Sequence, residues 1–264
     1  MTHVRAARPE DYDDFVRLYR EISLGEPAAE QRSWDGLHCR QARMAVEGDR
    51  VVGYLRYELF DDFAYVHHLS VAPEARRRGV GLKLMRHAAG EIRAHGIRRW
   101  MLHVLADNAA AQALYALLGL ERAGRSTTLS VSFDALERAS GDVSALSVGP
   151  LPAERDAEVE RLFHFSPRRL TRARENPDCR VFALMQPDAA PLGVALHAPK
   201  LAWTHPLSVL RPDLAIPLLA GLRTACQKDS MRVGVDDDAD VEAALLRAGA
   251  SVTHRSLLYR GELG

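Results

Sequence analysis

Residues 76–81 combine positive charge with small side chains, a combination suited to binding an anion. Arg76, Arg77 and Arg78 are followed by Gly79 and Gly81. Apolar residues recur at helical spacing from residue 80 onward, which predicts that a helix begins within this run. A helix N-terminus offers unbonded backbone N–H groups and partial positive charge, and glycine lets a ligand approach them closely. The pattern therefore predicts a site for a diphosphate.

A second set of residues could supply acid chemistry from one face of a helix. Asn108 and Tyr115 are seven residues apart, so they share a helix face, with Ala111 between them. Asp107 or Asn108 can cap this helix at its start and Gly119 can end it. A face with a polar end, a small middle and a phenol can admit a ligand, and a phenol can donate a proton.

The predicted elements place both sets of residues where strands end and helices begin. β-branched and aromatic residues over 65–71 predict a strand, and Pro73 ends it because proline cannot donate to a sheet. The same patterns predict a strand at 4–7, helices at 9–22 and 28–39, a hairpin at 43–47 and 51–60, and a strand at 98–106.

Both sets of residues resemble sequence motifs of the GNAT superfamily of N-acetyltransferases. The first resembles its motif A, V-x-P-x-x-[RQ]-x-x-G-x-[GA], which is matched here by Val71, Pro73, Arg76, Gly79 and Gly81. The second resembles its motif B, N-x-x-[AS]-x-x-x-Y-x-x-x-G-[FL], which is matched by Asn108, Ala111, Tyr115, Gly119 and Leu120. The resemblance covers about residues 2–133, and the predicted order of elements there is also that of the GNAT fold.

The resemblance implies acetyl-CoA as co-substrate and assigns roles to individual residues. In the family, the loop amides hold the pyrophosphate, the preceding strand splays from its neighbour to bind the pantetheine arm, and the tyrosine, here Tyr115, protonates the departing sulfur. No metal is expected. The predicted acetyl-CoA-binding residues are Leu69, Ser70, Val71, Arg76, Arg77, Arg78, Gly79, Val80, Gly81, Leu82, Asn108 and Ala111.

The general base is left open by the sequence. Many relatives carry a glutamate on the central strand, but the strand at 65–71 has none. Regular alternation would place His67 on the face of Leu69 and Val71, with His68 facing the other way. His67 is our candidate catalytic residue, because histidine titrates in the right range. His68, Glu58 and a water molecule remain alternatives.

Composition sets the expected class of protein. Hydrophobic residues make up 47% and charged residues 27% of 264 residues, and Lys+Arg and Asp+Glu are both 35. This balance argues against nucleic acid or membrane as partner. The three cysteines, an odd number, form no disulfide framework, and the N-terminus lacks the apolar core of a signal peptide. A cytoplasmic location is expected. The oligomeric state is not predicted.

The second half repeats the order of elements of the first, which predicts an internal duplication. We expect an α/β (α+β) protein with two tandem GNAT-like domains, each a mixed, mostly antiparallel sheet flanked by helices. The predicted bounds are 1–138 for an acetyltransferase domain with the acetyl-CoA motif and 145–264 for a degenerate GNAT-like domain, with a linker at 139–144. In the second domain Pro217 lies near the corresponding helix start, no glycine occurs between Val209 and Gly221, and Leu245 occupies the tyrosine position.

The predicted function is that of an acetyl-CoA-dependent N-acetyltransferase. It would transfer the acetyl group by direct attack of a primary amine, which belongs to a small molecule or to a protein N-terminus. The acceptor groove is expected at 23–35 and 122–128, as in the family, and the sequence does not name the acceptor. The alternative is an acyl-CoA-binding regulatory or scaffold protein without turnover.

Overall fold

The computed structural model describes residues 1–22, 28–141, 144–187 and 189–264, which divide into two compact units. The first unit is Met1–Ala123 with Leu257–Gly264, and the second is Gly124–Ser256. This division falls inside two long strands, Glu121–Ser132 and Ser251–Glu262, rather than at the predicted linker. The domain bounds 1–138 and 145–264 therefore stay a prediction. The linker lies partly outside the described residues, as does the first part of the predicted acceptor groove.

The first unit contains the following strands and helices in chain order. They are β1 (His3–Ala6), α1 (Tyr12–Tyr19), α2 (Gln31–Ser33), α3 (Cys39–Gln41), β2 (Ala42–Glu47), β3 (Arg50–Leu59), β4 (Ala64–Val71), α4 (Val80–Ala94), β5 (Arg99–Leu105) and α5 (Ala109–Ala116). A π-helical turn, Trp34–His38, joins α2 to α3, and 3₁₀ turns at Pro9–Asp11, Arg20–Ile22 and Pro73–Ala75 precede or follow helices.

The sheet of the first unit has the order β1–β2–β3–β4–β5, followed by residues 257–262 of the last strand. The pairs from β1 to β4 are antiparallel, whereas β4 and β5 run parallel, as a connection through a helix allows. One face of this sheet packs on α4, which buries Leu84, Met85 and Ile92. The first helices supply Phe15 and Trp34, whose rings stack with centroids 4.6 Å apart.

The second unit contains the remaining elements. They are β6 (Glu121–Ser132), α6 (Phe133–Ala139), β7 (Ser147–Pro150), α7 (Asp156–Leu162), α8 (Arg169–Glu175), β8 (Arg180–Met185), β9 (Gly193–Ala198), β10 (Trp203–Val209), α9 (Ala215–Ala220), β11 (Ser230–Asp236), α10 (Ala239–Arg247) and β12 (Ser251–Glu262). In this unit the strand order is β12–β6–β11–β10–β9–β8–β7, with β10 and β11 parallel.

The predicted fold class is confirmed: each unit is a mixed, mostly antiparallel sheet flanked by helices. The sequence patterns did not predict α6 or α8, and apolar residues at helical spacing over 216–228 predict a longer helix than α9. That helix ends at Ala220 and continues as the 3₁₀ turn Gly221–Ala225. None of the helices in the described ranges combines the length and the hydropathy needed to cross a lipid bilayer.

Candidate active site

An opening forms between β4 and β5 because the two strands pair at their beginnings and then separate. In the described chain, their pairs are Ala64–Trp100, Tyr65–Met101 and Val66–Leu102. β4 then continues for five residues, of which residues 68–71 pair with β3 alone. The main chain of β4 beyond Val66 is therefore available on its β5 side. Three predicted acetyl-CoA-binding residues, Leu69, Ser70 and Val71, lie on this segment.

Side chains at the end of β4 do not fill the opening equally. Ser70 is buried and its hydroxyl donates to the carbonyl of Leu18 at 2.7 Å, which leaves its main chain for a ligand. Leu69 and Val71 lie toward the start of α4. Strand, turn and helix thus meet at one place, where the main chain carries the polar groups and the side chains are apolar.

The loop that follows β4 presents a run of unbonded backbone N–H groups. Within the described residues, no hydrogen bond is found for the N–H groups of residues 77–82, and Lys83 N makes the first helical bond, to Gly79 O, at 3.0 Å. Arg77 and Gly79 adopt left-handed backbone conformations, with φ of 63° and 79°. Gly79 thus has a conformation that favours glycine. With the dipole of the 15-residue helix α4, these N–H groups make the loop suited to binding an anion.

The three arginines of the loop, which the sequence treats alike, differ in their contacts. Arg76 donates to Val71 O at 3.0 Å and to Glu21 at 2.6 Å. Arg78 forms an ion pair with Glu47 at 2.9 Å. In the part of the chain that the structure describes, Arg77 has no such partner. Its charge is therefore available to a phosphate, whereas those of Arg76 and Arg78 are partly balanced.

Gly81 allows α4 and α5 to approach the end of β4. A Cβ atom at this position would lie 3.3 Å from Leu114 Cδ2, 3.8 Å from Val71 Cγ2 and 3.9 Å from Leu69 Cδ2. The first distance is tighter than ordinary van der Waals contact, so a larger side chain would push on α5. The structure thereby brings residues of the first motif close to helix α5, which carries residues of the second. Val80 is buried beneath this loop, and Leu82 lies on the first turn of α4.

Helix α5 carries the second set of predicted residues. Asn108 caps it, since its Oδ1 accepts a hydrogen bond from Ala111 N at 3.0 Å. Tyr115 is 6% exposed and packs on Tyr259, with ring centroids 6.0 Å apart. Burial raises the pKa of Tyr115 to about 12, so its phenol is protonated at neutral pH and can donate a proton.

A β-bulge in β4 changes the direction of His67 from the one expected by alternation. Arg56 is opposite His68 and Tyr57 is opposite Val66, so His67 is an extra residue without a partner on β3. The expectation that His67 shares the face of Leu69 and Val71 is therefore wrong. Its contacts with Glu58 and the Tyr65 ring place it on the face away from α4. An extra residue interrupts the two-residue alternation on which the expectation depended.

His67 and Glu58, two candidate bases, are hydrogen-bonded to each other. His67 Nε2 lies 3.0 Å from Glu58 Oε2, and the His67 side chain is 26% exposed. Burial and, to a smaller extent, the charges of Arg56 and His38 lower the pKa of His67 well below its ordinary value of 6.5. We assign the Nε2 proton to the bond with Glu58. Nδ1 then carries a lone pair that can accept a proton.

His68 has a different environment from His67. It packs between the rings of Tyr19 and Tyr54, at centroid distances of 5.2 Å and 6.1 Å. Burial lowers its pKa well below 6.5, and its Nδ1 is buried without a partner in the described structure. The described residues contain no group of three or more His, Cys, Asp or Glu arranged to hold a metal ion.

Three further polar residues on the sheet face away from α4 were not identified from the sequence: Arg56, Tyr65 and His103. Arg56 lies two residues before Glu58 on β3, and Tyr65 donates to or accepts from His103 Nδ1 at 2.6 Å. Alternation along the predicted strands, counted from Glu58 and Met101, would have identified Arg56 and His103. No hydrogen bond or ring contact joins Tyr115 to His67 among the described residues.

The second unit repeats the strand separation but not the anion-binding loop. β10 and β11 are paired only at Trp203–Arg232 and Thr204–Val233 in the described chain. The turn after β10 starts at Pro212, and Arg211 is paired with Asp213 at 2.8 Å. The helix that follows, α9, has six residues and includes Pro217. Leu245 is fully buried at the position of the tyrosine.

Comparison with known proteins finds a family match for the first part of the chain. The profile of the acetyltransferase (GNAT) family matches residues 9–120. The [ribosomal protein bS18]-alanine N-acetyltransferase of Salmonella typhimurium is 36% identical over 75 residues, 28% of this chain and 51% of that protein. The thialysine N-epsilon-acetyltransferase of Mus musculus is 29% identical over 143 residues, 46% of this chain and 84% of that protein. The chain thus spans about half the length of the first of these relatives.

Solved structures extend the likeness to the whole chain. A GCN5-related N-acetyltransferase from Sphaerobacter thermophilus superposes with a TM-score of 0.75 at 21% identity, covering 99% of this chain and 96% of that one. A tandem GNAT protein from the clavulanic acid biosynthesis pathway gives 0.69 at 20% identity, covering 100% and 99%. At these identities the likeness establishes the fold. Residues 9–120 thus match the acetyltransferase (GNAT) family, and the whole chain shares the fold of a tandem GNAT protein.

Proposed function

We propose that this chain is an acetyl-CoA-dependent N-acetyltransferase that acts on a primary amine of a small molecule or a protein N-terminus. The observation that carries the proposal is the run of unbonded N–H groups at 77–82, placed directly after a strand that separates from its neighbour. A diphosphate fits the first feature, and an extended amide-bearing chain fits the second. Acetyl-CoA combines the two in one molecule.

The chain's own groups hold the co-substrate at two places, the diphosphate and the pantetheine arm. The N–H groups of 77–82 and the charge of Arg77 bind the diphosphate. The main chain of Leu69–Val71 bonds the pantetheine arm, and its N–H groups polarise the thioester carbonyl. Gly81, where a Cβ atom would lie 3.3 Å from Leu114 Cδ2, lets α5 lie beside the loop. Among the predicted binding residues, Asn108 and Ala111 act indirectly, by shaping the start of α5.

Deprotonation of the amine is assigned to His67 with Glu58. Glu58 accepts the Nε2 proton of His67 and so fixes its tautomer, which leaves Nδ1 to take a proton from the ammonium group of the acceptor. The lowered pKa of His67 keeps the ring neutral at pH 7. His68 is enclosed by two tyrosine rings, which makes it a poorer candidate.

Transfer then proceeds by direct attack. The amine nitrogen forms a bond to the thioester carbonyl carbon, and the carbon–sulfur bond breaks as the tetrahedral intermediate collapses. Tyr115 donates its phenolic proton to the departing thiolate, which leaves as the CoA thiol, and it regains a proton from solvent. The products are an N-acetyl amide and CoA.

The two halves of the chain have different roles in this proposal. The domain at 1–138 carries the reaction, and the degenerate domain at 145–264 binds no acetyl-CoA, because its turn lacks glycine and its α9 includes Pro217. All three cysteines are free thiols. This suits a reducing compartment, and we propose a cytoplasmic location.

A thiol-release assay with acetyl-CoA tests the proposal against its alternative. Amines, polyamines, aminoglycosides and peptides serve as acceptors, and mass spectrometry identifies the acetylated product. We expect acceptor-dependent release of CoA with at least one of these classes. Tight binding of CoA without turnover of any acceptor would instead favour an acyl-CoA-binding regulatory or scaffold protein.

A further inference from the structure

Arg56 lies on the sheet face that carries the proposed base, and its positive charge is not balanced there. Its Nη1 donates to Gln41 Oε1 at 2.8 Å, and this neutral amide is its one hydrogen-bond partner in the described part of the chain. No ion pair of Arg56 with a carboxylate is found there within 4 Å. Its side chain is partly buried, and the Nε atom is fully buried without a partner.

Such a guanidinium needs an explanation, because buried arginines are normally paired. Burying a charge that lacks a counter-charge is costly, and burial lowers the pKa of Arg56. Glu58 attracts the charge from two residues away without forming an ion pair. The surrounding His38 and His68 are held neutral, so they add no negative charge.

Neighbouring residues carry further polar atoms without partners. His68 is opposite Arg56 in the β3–β4 register, and its Nδ1 is buried and unbonded among the described residues. The hydroxyl of Tyr54, two residues before Arg56 on β3, is likewise buried without a hydrogen-bond partner in the described structure. The rings of Tyr54 and His68 are in contact. Unsatisfied donors and acceptors are therefore concentrated beside Arg56.

The position of Arg56 relative to the proposed base sets the size of a ligand. Arg56 and Glu58 are alternate residues of one strand, so their Cα atoms are about 7 Å apart and their side chains share a face. Glu58 bonds His67, which would deprotonate the amine. A molecule with its amine at His67 and an anionic group at Arg56 therefore needs the two groups only a few bonds apart.

We propose that Arg56 binds the carboxylate of the acceptor, so that the substrate is a small amine bearing a carboxylate, as in a free amino acid. This inference rests on the proposed acetyltransferase function and narrows its acceptor. The planar guanidinium and the planar carboxylate are matched in shape and charge. The carboxylate supplies the counter-charge that the protein itself lacks at this position.

The test compares amines that differ only in the carboxylate. Glycine, β-alanine and lysine are each assayed beside their carboxamides for thiol release from acetyl-CoA. For at least one pair we expect kcat/KM to be at least about tenfold higher for the acid, the range that charge-assisted hydrogen bonds contribute. Arg56→Gln should remove this preference, so that the kcat/KM values of the acid and of its carboxamide then lie within about threefold of each other. Arg99→Gln, at an exposed arginine paired with Asp62, is the matched control and should keep the preference.

The outcomes separate this inference from the proposed function. Equal kcat/KM for acids and amides in the wild type, or an equal loss for both in Arg56→Gln, would overturn the assignment of Arg56. Thermal unfolding in the presence of CoA decides the question without turnover. Stabilisation by an acid but not by its amide, absent in Arg56→Gln, supports the carboxylate site even if no amine is acetylated. If neither the acid nor its amide stabilises the protein and no amine is acetylated, the Arg56 assignment and the proposed acetyltransferase function are both overturned. If Arg56→Gln does not fold, Arg56→Lys replaces it, and the wild-type ratio alone still decides.

Discussion

Replacing Tyr115 with phenylalanine removes one hydroxyl and leaves the ring in place. The side chain is 6% exposed, and no hydrogen bond of its hydroxyl is found in the described structure. The substitution therefore leaves no buried partner unsatisfied, and the ring contact with Tyr259 is retained. We expect the unfolding temperature to change little. Any large effect on the rate then reports the proton that the hydroxyl supplies.

The size of the effect follows from general acid catalysis. Proton donation contributes about 10²–10⁴-fold in rate, and a solvent proton can replace part of it. We expect kcat of Tyr115→Phe to fall by at least about 10-fold, which corresponds to about 1.4 kcal/mol in the activation free energy. The KM for acetyl-CoA should stay within about twofold, because the phenol is assigned to the leaving sulfur and not to binding.

Steady-state thiol release, followed at saturating acceptor, measures both parameters. Because the pKa of Tyr115 is raised to about 12, the wild type should show no loss of kcat from this residue between pH 7 and pH 10. An unaltered kcat in Tyr115→Phe would refute the general-acid role. So would a loss of rate that appears wholly as an increased KM for acetyl-CoA.

Three further predictions concern the binding loop and the histidines. Gly81→Val should weaken CoA binding by at least about 10-fold in calorimetry, because its side chain collides with Leu114; unchanged affinity would place the diphosphate elsewhere. Glu58→Gln should lower the plateau of kcat/KM and move its acid limb to lower pH, since loss of the carboxylate lowers the pKa of His67; an unmoved limb would contradict their pairing. Wild-type unfolding temperature should fall from pH 7 to pH 5, because the unfolded chain takes up protons that the depressed pKa values of His38 and His67 prevent in the fold. His38→Gln should reduce this pH dependence, and equal slopes in the two proteins would show that other groups cause it.

Local signals predicted the binding loop well. The start of α4 at Val80 follows from the apolar spacing, and the left-handed Gly79 agrees with a turn that glycine favours. Asp107 or Asn108 was expected as the cap of α5, and the structure shows that Asn108 caps it. These features depend on neighbouring residues, so the sequence contains the information directly.

The direction of the His67 side chain could not be predicted from local sequence signals. The bulge at His67 is a property of how β3 and β4 align, and alternation counted along one strand does not contain it. The ion pairs that partly balance Arg76 and Arg78 likewise come from Glu21 and Glu47, which are distant in sequence. Tertiary pairing thus decided which of three similar arginines remains available to a ligand.

One missed element did have a local signal. Ser132 accepts a hydrogen bond from Ala135 N and caps α6, whose Phe133 and Leu136 are fully buried. A serine followed by helix-forming residues predicts such a start. The boundary between the two units, which falls inside β6 and β12, had no local sequence signal. It depends on which elements pack against each half of these strands.

Calorimetric titration of the full chain with CoA tests the central claim most directly. The account predicts one molecule bound per chain, and Gly81→Val should abolish or strongly weaken that binding. The loop after β4 offers unbonded N–H groups, whereas the corresponding turn after β10 starts with Pro212 and leads into the short helix α9. A stoichiometry near two would contradict the assignment of a single site. Absence of binding would contradict the acetyl-CoA-dependent function itself.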